Sequence, residues 1–259
     1  MPTGLHNFFH TFFDLHQIAD VFPSLLSDGL LNTLEISALA IVFGTTIGMT
    51  LATFLVSRRW YLRAPARVYV DIFRGLPIIV TVMMIGLGLP IAGLRVFGRN
   101  SYPYAILALA LVSGAYMSEI FRSGIQSVDR GQMEAARSLG LSYLGAMRRV
   151  IVPQGVRRVL PALTNQFVAM VKDSSLVYLL GLLASQRELF SIAKDTTFQT
   201  GNLSALTAAG LVYLAITIPL THTVNLLDRR MREGGAVRLA DGATAAAPSL
   251  QLLGTQEGR

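Results

Sequence analysis

Four adjacent polar residues, Lys172-Asp173-Ser174-Ser175, interrupt the largely apolar stretch from Pro161 to Ser185. An ammonium, a carboxylate and two hydroxyls in apolar surroundings can hold a small zwitterion, or they can tie neighbouring helices together. A charge at the middle of a membrane span costs ~2.5 kcal/mol or more unless it is paired or hydrated. Adjacent residues on a helix do not face each other, so Lys172 and Asp173 need partners elsewhere or a wet cavity. Ser113, Tyr116, Ser118 and Glu119 place further polar groups on a second apolar stretch, Pro103 to Phe121. These groups suit binding better than catalysis. The chain has no cysteine, which excludes a thiolate nucleophile, a disulfide and a cysteine-ligated metal. His222 is the only histidine in an apolar stretch, so no base–nucleophile pair or metal set forms there. His6, His10 and His16 read as polar residues at a headgroup boundary rather than as metal ligands.

A second constellation lies between those two stretches. Glu134-Ala135-Ala136 is followed by Gly140, then by Val150, Val152 and Pro153. Gln132 to Met147 is rich in helix formers. Gly140 interrupts it, which predicts two short helices meeting at a bend. Ala135, Ala136 and Gly140 offer little side chain, so another surface can approach their backbone. Leu139, Leu144 and Met147 can pack on a partner while Arg148 and Arg149 stay wet. Pro153 is expected to end or kink the helix.

The elements that position these residues are membrane helices. The chain is 52% hydrophobic and 14% charged, against ~25% charge in a soluble domain. Its mean hydropathy is +0.52. Five spans are expected, at about 29–56, 76–94, 103–121, 161–185 and 203–226, each near the ~20 residues a bilayer requires. Gly44 and Gly48 form a small-xxx-small pair for close helix packing in the first span. Glu35, near that span's end, reads as snorkelling or bonded to a neighbour. Residues 1–28 form an amphipathic interfacial segment. Leu5, Phe8, Phe9, Phe12 and Phe13 share one helical face there. No Lys or Arg occurs before Asp28, so no charged signal-peptide n-region is evident. Ser57 to Arg74 reads as a short basic loop with interfacial Trp60 and Tyr61, and 122–160 as a long polar loop. Residues 227–259 form a Gly/Ala-rich tail expected to be disordered.

Basic residues set the orientation. Of 22 Lys and Arg, 17 fall in the loops after the first, third and fifth spans. Only Arg95, Arg99, Arg187 and Lys194 lie on the other face, and Lys172 is inside a span. The crowded face is cytoplasmic by the positive-inside rule, with the N-terminus outside and the C-terminus inside. The net charge of +7 is therefore a topology signal, and nucleic-acid binding is not expected.

The spacing from Glu134 to Pro153 resembles the EAA loop of importer-type ABC permeases, with Val150 and Val152 in place of its Ile and Leu. Arg74-Gly75-Leu76-Pro77 resembles the R-G-T-P element of polar amino acid permeases, with Leu76 for Thr. The run from Ala115-Tyr116 through Glu119 and Arg122 to Gly131-Gln132 is similar to one that precedes the EAA element in the histidine/glutamate/glutamine/arginine/opine permeases. Pro153-Gln154, Leu160-Pro161, Asn165 and Lys172 to Leu176 are similar to a further run of that family, with Ser174 for Thr.

The resemblance covers roughly Gly29 to Leu226. It implies an all-α polytopic membrane protein of the type I ABC importer permease fold, in the bacterial inner membrane. Two permease subunits, this chain twice or with a sister, would form the pore. Two ATPase subunits would carry ATP and Mg, and an outer binding protein would deliver an amino acid. Glu134, Ala135, Ala136, Gly140, Leu144 and Arg130 would engage an ATPase. Ser113, Tyr116, Glu119, Lys172, Asp173, Ser174 and Ser175 are the candidate substrate pathway. The chain binds no cofactor on this reading: it lacks the G-x-x-x-x-G-K-[ST] phosphate loop. The alternative is a stand-alone carrier or channel, but no second copy of either polar element is present, as an inverted repeat would require. An intramembrane enzyme is the weakest reading.

Overall fold

A computed structural model describes residues 2–223 and Leu226, and within them the chain is helical without strands. The tail at 227–259 lies outside the described residues. The N-terminal helix α1 (Pro2–Phe13) carries the expected Phe face. Phe8, Phe9 and Phe13 are about half exposed and stack on one another, and the Phe8 and Phe12 rings are 5.0 Å apart. Asp14 caps α2 (Leu15–Ser24), accepting from the His16 N–H at 3.0 Å. A π turn at Leu25–Gly29 joins α2 to α3 (Leu30–Leu55), so helical backbone runs on through residues 28 and 29.

The stretch after α3 is not a loop. Trp60–Gly75 forms helix α4, amphipathic, with Ala66 and Val70 buried against Leu55. Arg63, Arg67 and Arg74, four and seven residues apart, share its wet face, and charges at that helical spacing resemble a connection when read for apolar length alone. Beyond α4 the chain bends by 106° at Leu76-Pro77 into α5 (Ile78–Met83), which continues by a π turn into α6 (Leu89–Ile91). Pro77 lacks an N–H and disfavours helical backbone at Leu76, which is extended at ψ 140°. Helix α7 (Ser101–Gln126) is capped by Asn100 and is the most enclosed element.

After α7 come α8 (Arg130–Ser138), α9 (Tyr143–Ala146) and α10 (Val152–Asp173). A 3-10 segment, Ser174–Leu180, follows, then α11 (Leu189–Thr200) and α12 (Ser204–Thr223). Among the described residues three helical stretches are long and apolar enough to cross a membrane, or four if the bent pair is one span. The expected span at 161–185 is displaced. Its helix starts at Val152 and stops at Asp173. At 22 residues α10 is ~33 Å long, but Arg157 and Arg158 occupy its first turns, so its apolar part is short.

The centre of the fold is the pair α3–α7. A Cβ on Gly44 would sit 2.5 Å from Ser113 Oγ, and one on Gly48 would sit 2.5 Å from Met117 Cβ and 2.9 Å from the Ser118 nitrogen. The small-xxx-small pair therefore brings two backbones into contact, as its spacing predicts. In lipid no hydrophobic force drives helices together, so this close van der Waals packing carries the association. Gly124 of α7 and Gly155 of α10 repeat the device, with a Gly124 Cβ only 2.5 Å from the Gly155 carbonyl oxygen. A third layer closes the end of the fold near the start of α3. Asn32 donates to the Ser185 and Arg187 carbonyls, both at 3.0 Å, and Thr33 Oγ1 accepts from the Leu189 N–H. The fully buried Glu188 caps α11, accepting from the Phe190 and Ser191 N–H groups and from Tyr213 Oη. Asn202 and Leu203 fasten α1 there by bonding the His10 and Thr11 carbonyls.

Candidate functional site

The Glu134 region folds as two short capped helices. Asp129 caps α8, its Oδ1 accepting from the Gly131 N–H at 2.7 Å. At the other end the Gly140 N–H donates to the Arg137 carbonyl at 3.0 Å, and the Leu141 N–H donates to the Ala136 carbonyl at 3.2 Å. This pair of bonds is a Schellman motif, which requires a left-handed residue at its centre. Gly140 supplies it with φ +84°. Ser142 then caps α9 through the Gly145 N–H.

The backbone thus explains Gly140 before any partner does. Nothing lies within 4 Å of a Cβ placed on it. Ala136, expected to face a partner, is instead buried at 5% exposure against the protein's own interior. Ala135 and Glu134 are exposed, as is Arg130. Leu139 and Leu144 stand out at 85% and 75% exposure. Together with the Gly140–Gly145 turn, Leu144 borders a surface cleft of about 590 Å³ that Arg148 and Arg149 also line. Two capped helices thus hold two large apolar side chains on an open face. Met147, expected on that face, turns inward to the cluster of Ile125, Val128 and Ile151. Pro153 does not end the helix. A π turn at Met147–Ile151 carries the chain through into α10, and Pro153 directly follows that turn, where the helical ladder is already shifted.

Helices α8 and α9 are packed against the ends of α7 and α10. Met133, Met147 and Val150 pack on the Ile125–Val128–Ile151 cluster, and each such side chain is worth ~1.5–3 kcal/mol when fully buried. Gln154 donates to Gln132 Oε1, Arg158 donates to the Ser127 carbonyl, and Gly124 touches Gly155. A displacement of α8–α9 must therefore move the ends of α7 and α10.

The seven candidate pathway residues divide into three groups. Ser113 and Ser174 are fully buried; Ser113 faces Gly44 in the α3–α7 contact, and Ser174 Oγ donates to the Val171 carbonyl. Neither lines an open path. Tyr116 and Glu119 form the second group. Arg74 of α4 lies 5.5 Å over the Tyr116 ring, and Arg122 holds Glu119 through two contacts, at 2.5 and 3.0 Å. Lys172, Asp173 and Ser175 form the third. Among the described residues neither Lys172 nor Asp173 has an ion pair within 4 Å. Lys172 is exposed, and Ser175 Oγ donates to its carbonyl at 2.7 Å.

The third group is not at mid-span. Gly155 is level with Gly124, and Met170 packs with Ala105, Ala108 and Leu109. Counting along antiparallel helices puts Lys172 ~10 Å from the middle of α7 and ~15 Å from the Tyr116–Glu119 group. The apolar run misplaced it because α10 starts earlier than its apolar residues do. Local sequence does not announce Arg74 as a neighbour of Tyr116, since the two are far apart in the chain and meet only where α4 packs alongside α7. Tyr69 Oη, donating to the Leu111 carbonyl at 2.8 Å, fixes that approach.

The described residues form a helical membrane protein with polar groups set along its long helices and two short capped helices exposed at one end. The chain belongs to the family of binding-protein-dependent transport system inner membrane components, whose model matches residues 44–233. It is a permease subunit of an ABC importer, a transport subunit and not an enzyme, working with an ATPase and a substrate-binding protein. It is 38% identical over 223 residues to the octopine transport system permease protein OccM of Rhizobium meliloti, covering 83% of this chain and 89% of the relative. It is 36% identical over 215 residues to the probable glutamine ABC transporter permease protein GlnM of Bacillus subtilis (strain 168), covering 81% and 94%. Among solved structures, an amino acid ABC transporter aligns with a TM-score of 0.72 at 32% identity, over 82% of this chain and 96% of that one. The MetNI methionine ABC transporter shares the fold, with a TM-score of 0.68 at 19% identity over 81% and 97%.

Proposed function

We propose that this chain lines the translocation path of an importer for polar amino acids or their derivatives. On this reading it pairs with a second permease subunit, either a copy of itself or a sister. Each of two ATPase subunits engages one α8–α9 face through Leu139, Leu144, Glu134, Ala135 and Arg130. ATP and Mg sit on the ATPases, and this chain carries no cofactor. ATP-driven closure moves α8–α9, and the Gly124–Gly155 contact passes that movement to α7 and α10 as rigid-body switching. Lys172 and Asp173, set toward the end remote from α8–α9, meet substrate first. Tyr116 and Glu119, with Arg74 and Arg122, meet it later. The α8–α9 end faces the cytoplasm and the N-terminus lies outside.

The observation that carries this reading is the exposed Leu139–Leu144 pair on capped helices that are packed against the span ends. The substrate class is supported by the octopine, glutamine and amino acid systems to which the chain is similar. The test is uptake of labelled polar amino acids into proteoliposomes holding the permease, the ATPase and the binding protein. Uptake that requires both ATP and the binding protein is expected. Equal uptake without either would favour a stand-alone carrier.

A further inference from the structure

A cavity of about 520 Å³ opens at the α8–α9 end, between the end of α3, the first turn of α4, the end of α7 and the docking helices. Its chemistry is divided. Three arginines line it, Arg58 from the connection after α3, Arg63 from α4 and Arg130 from α8. Its floor is apolar, with Ile125, Val128 and Ile151 each under 10% exposed. Among the described residues none of the three arginines has a carboxylate within 4 Å. The one carboxylate on the lining, Asp129, already accepts from the Gly131 N–H at 2.7 Å. The cavity therefore holds an excess of two positive charges over an apolar floor.

We infer that this cavity binds the headgroup of an anionic phospholipid, with the adjoining acyl chain lying on the apolar floor. Three guanidiniums can pair with phosphate oxygens in two-pronged geometry, and a free anion would leave the floor unused. On this reading the site lies at membrane-surface depth. Beside it α4 exposes Trp60 at 72% and Tyr61 at 53%, with charge on one face only, the pattern of a helix lying in the interface. Basic pockets between helix ends on the cytoplasmic side recognise anionic headgroups. Naming that leaflet rests on the proposed orientation; the class of ligand does not. A lipid here touches α3, α4 and α8 at once, so its presence stiffens the joint through which the docking face moves.

The test is native mass spectrometry of the complete transporter with phosphatidylglycerol and phosphatidylcholine titrated in neutral detergent. Wild type should retain phosphatidylglycerol in preference to phosphatidylcholine. Arg58→Gln with Arg63→Gln should weaken that retention on the order of thirtyfold, the worth of two basic side chains at an anionic surface. Arg59→Gln with Arg157→Gln removes the same charge from exposed positions outside the cavity and should leave retention unchanged. Equal loss in both double variants, or no preference between the lipids, would overturn the inference. So would displacement of the lipid by millimolar inorganic phosphate, which would make this a free-anion site. Retained lipid with a lost ATPase in the Arg58/Arg63 variant would assign the cations to the ATPase surface instead. The same spectra report subunit composition, so a failed lipid site and a failed importer assignment give different peaks.

Discussion

Replacing Gly140 separates two reasons for its being glycine. The first is conformational: φ is +84° within a Schellman motif. A left-handed residue with a Cβ costs roughly 1–2 kcal/mol, and Asn tolerates the region better than Ala. The second is access for the ATPase, whose surface would approach the backbone. In the chain itself a Cβ at Gly140 meets nothing within 4 Å, so Ala and Leu should cost the isolated permease the same. That cost shifts the population holding the α8–α9 angle by roughly 5–30-fold. Gly140→Asn, Gly140→Ala and Gly140→Leu should therefore leave membrane insertion intact and rank in that order for ATP-coupled uptake. Ala should lose severalfold in coupling. Leu should lose more, because overpacking against the docked ATPase adds ~1–3 kcal/mol. The assay is complex recovery, ATP hydrolysis and uptake in proteoliposomes for the three variants. Wild-type coupling in Gly140→Ala would refute the conformational argument. Identical behaviour of Ala and Leu would refute close approach by a partner.

Gly48→Ala should lower the thermal stability of the detergent-solubilised subunit, since its Cβ would fall 2.5 Å from Met117 Cβ and backbone must shift; an unchanged melting temperature would show that α3 and α7 do not touch there. Lys172→Ala should impair uptake, whereas Ser113→Ala should stay near wild type because its hydroxyl is enclosed between α3 and α7; the reverse ranking would return Ser113 to the pathway. A cysteine at Asn7 should react with an impermeant thiol reagent on spheroplasts while one at Ser142 should not, the chain having no native cysteine; opposite labelling would invert the orientation.

The helical class, the Gly44/Gly48 contact and the two-helix element at Gly140 were legible in the sequence because each is local. Apolar runs, a four-residue spacing of small residues and a glycine between helix formers need no knowledge of the rest of the chain. Helix α4 was missed because its period is amphipathic rather than apolar, and a search for membrane-length runs passes over Trp60–Gly75. The start of α10 was misplaced for the same reason: Arg157 and Arg158 disguise helical residues as a loop. That one shift carried Lys172 and Asp173 away from mid-span. Ser113 and Ser174 were read as path-lining from their polarity alone, yet a serine can return its hydroxyl to a nearby carbonyl or fill a narrow contact. The bond from Tyr213 to the buried Glu188 and those from Asn32 to the Ser185 and Arg187 carbonyls join segments more than 20 residues apart, and nothing in local composition announces them.

The account turns on the claim that α8–α9 is the surface an ATPase grips. Leu144→Cys reports on it directly, since Leu144 is 75% exposed in the chain alone and the protein has no other cysteine. Thiol labelling at this position should be rapid in the isolated permease and suppressed in the assembled transporter. A short bifunctional reagent should link it to the ATPase. Labelling that is equally fast with and without the ATPase, with no cross-linked product, would contradict the docking assignment.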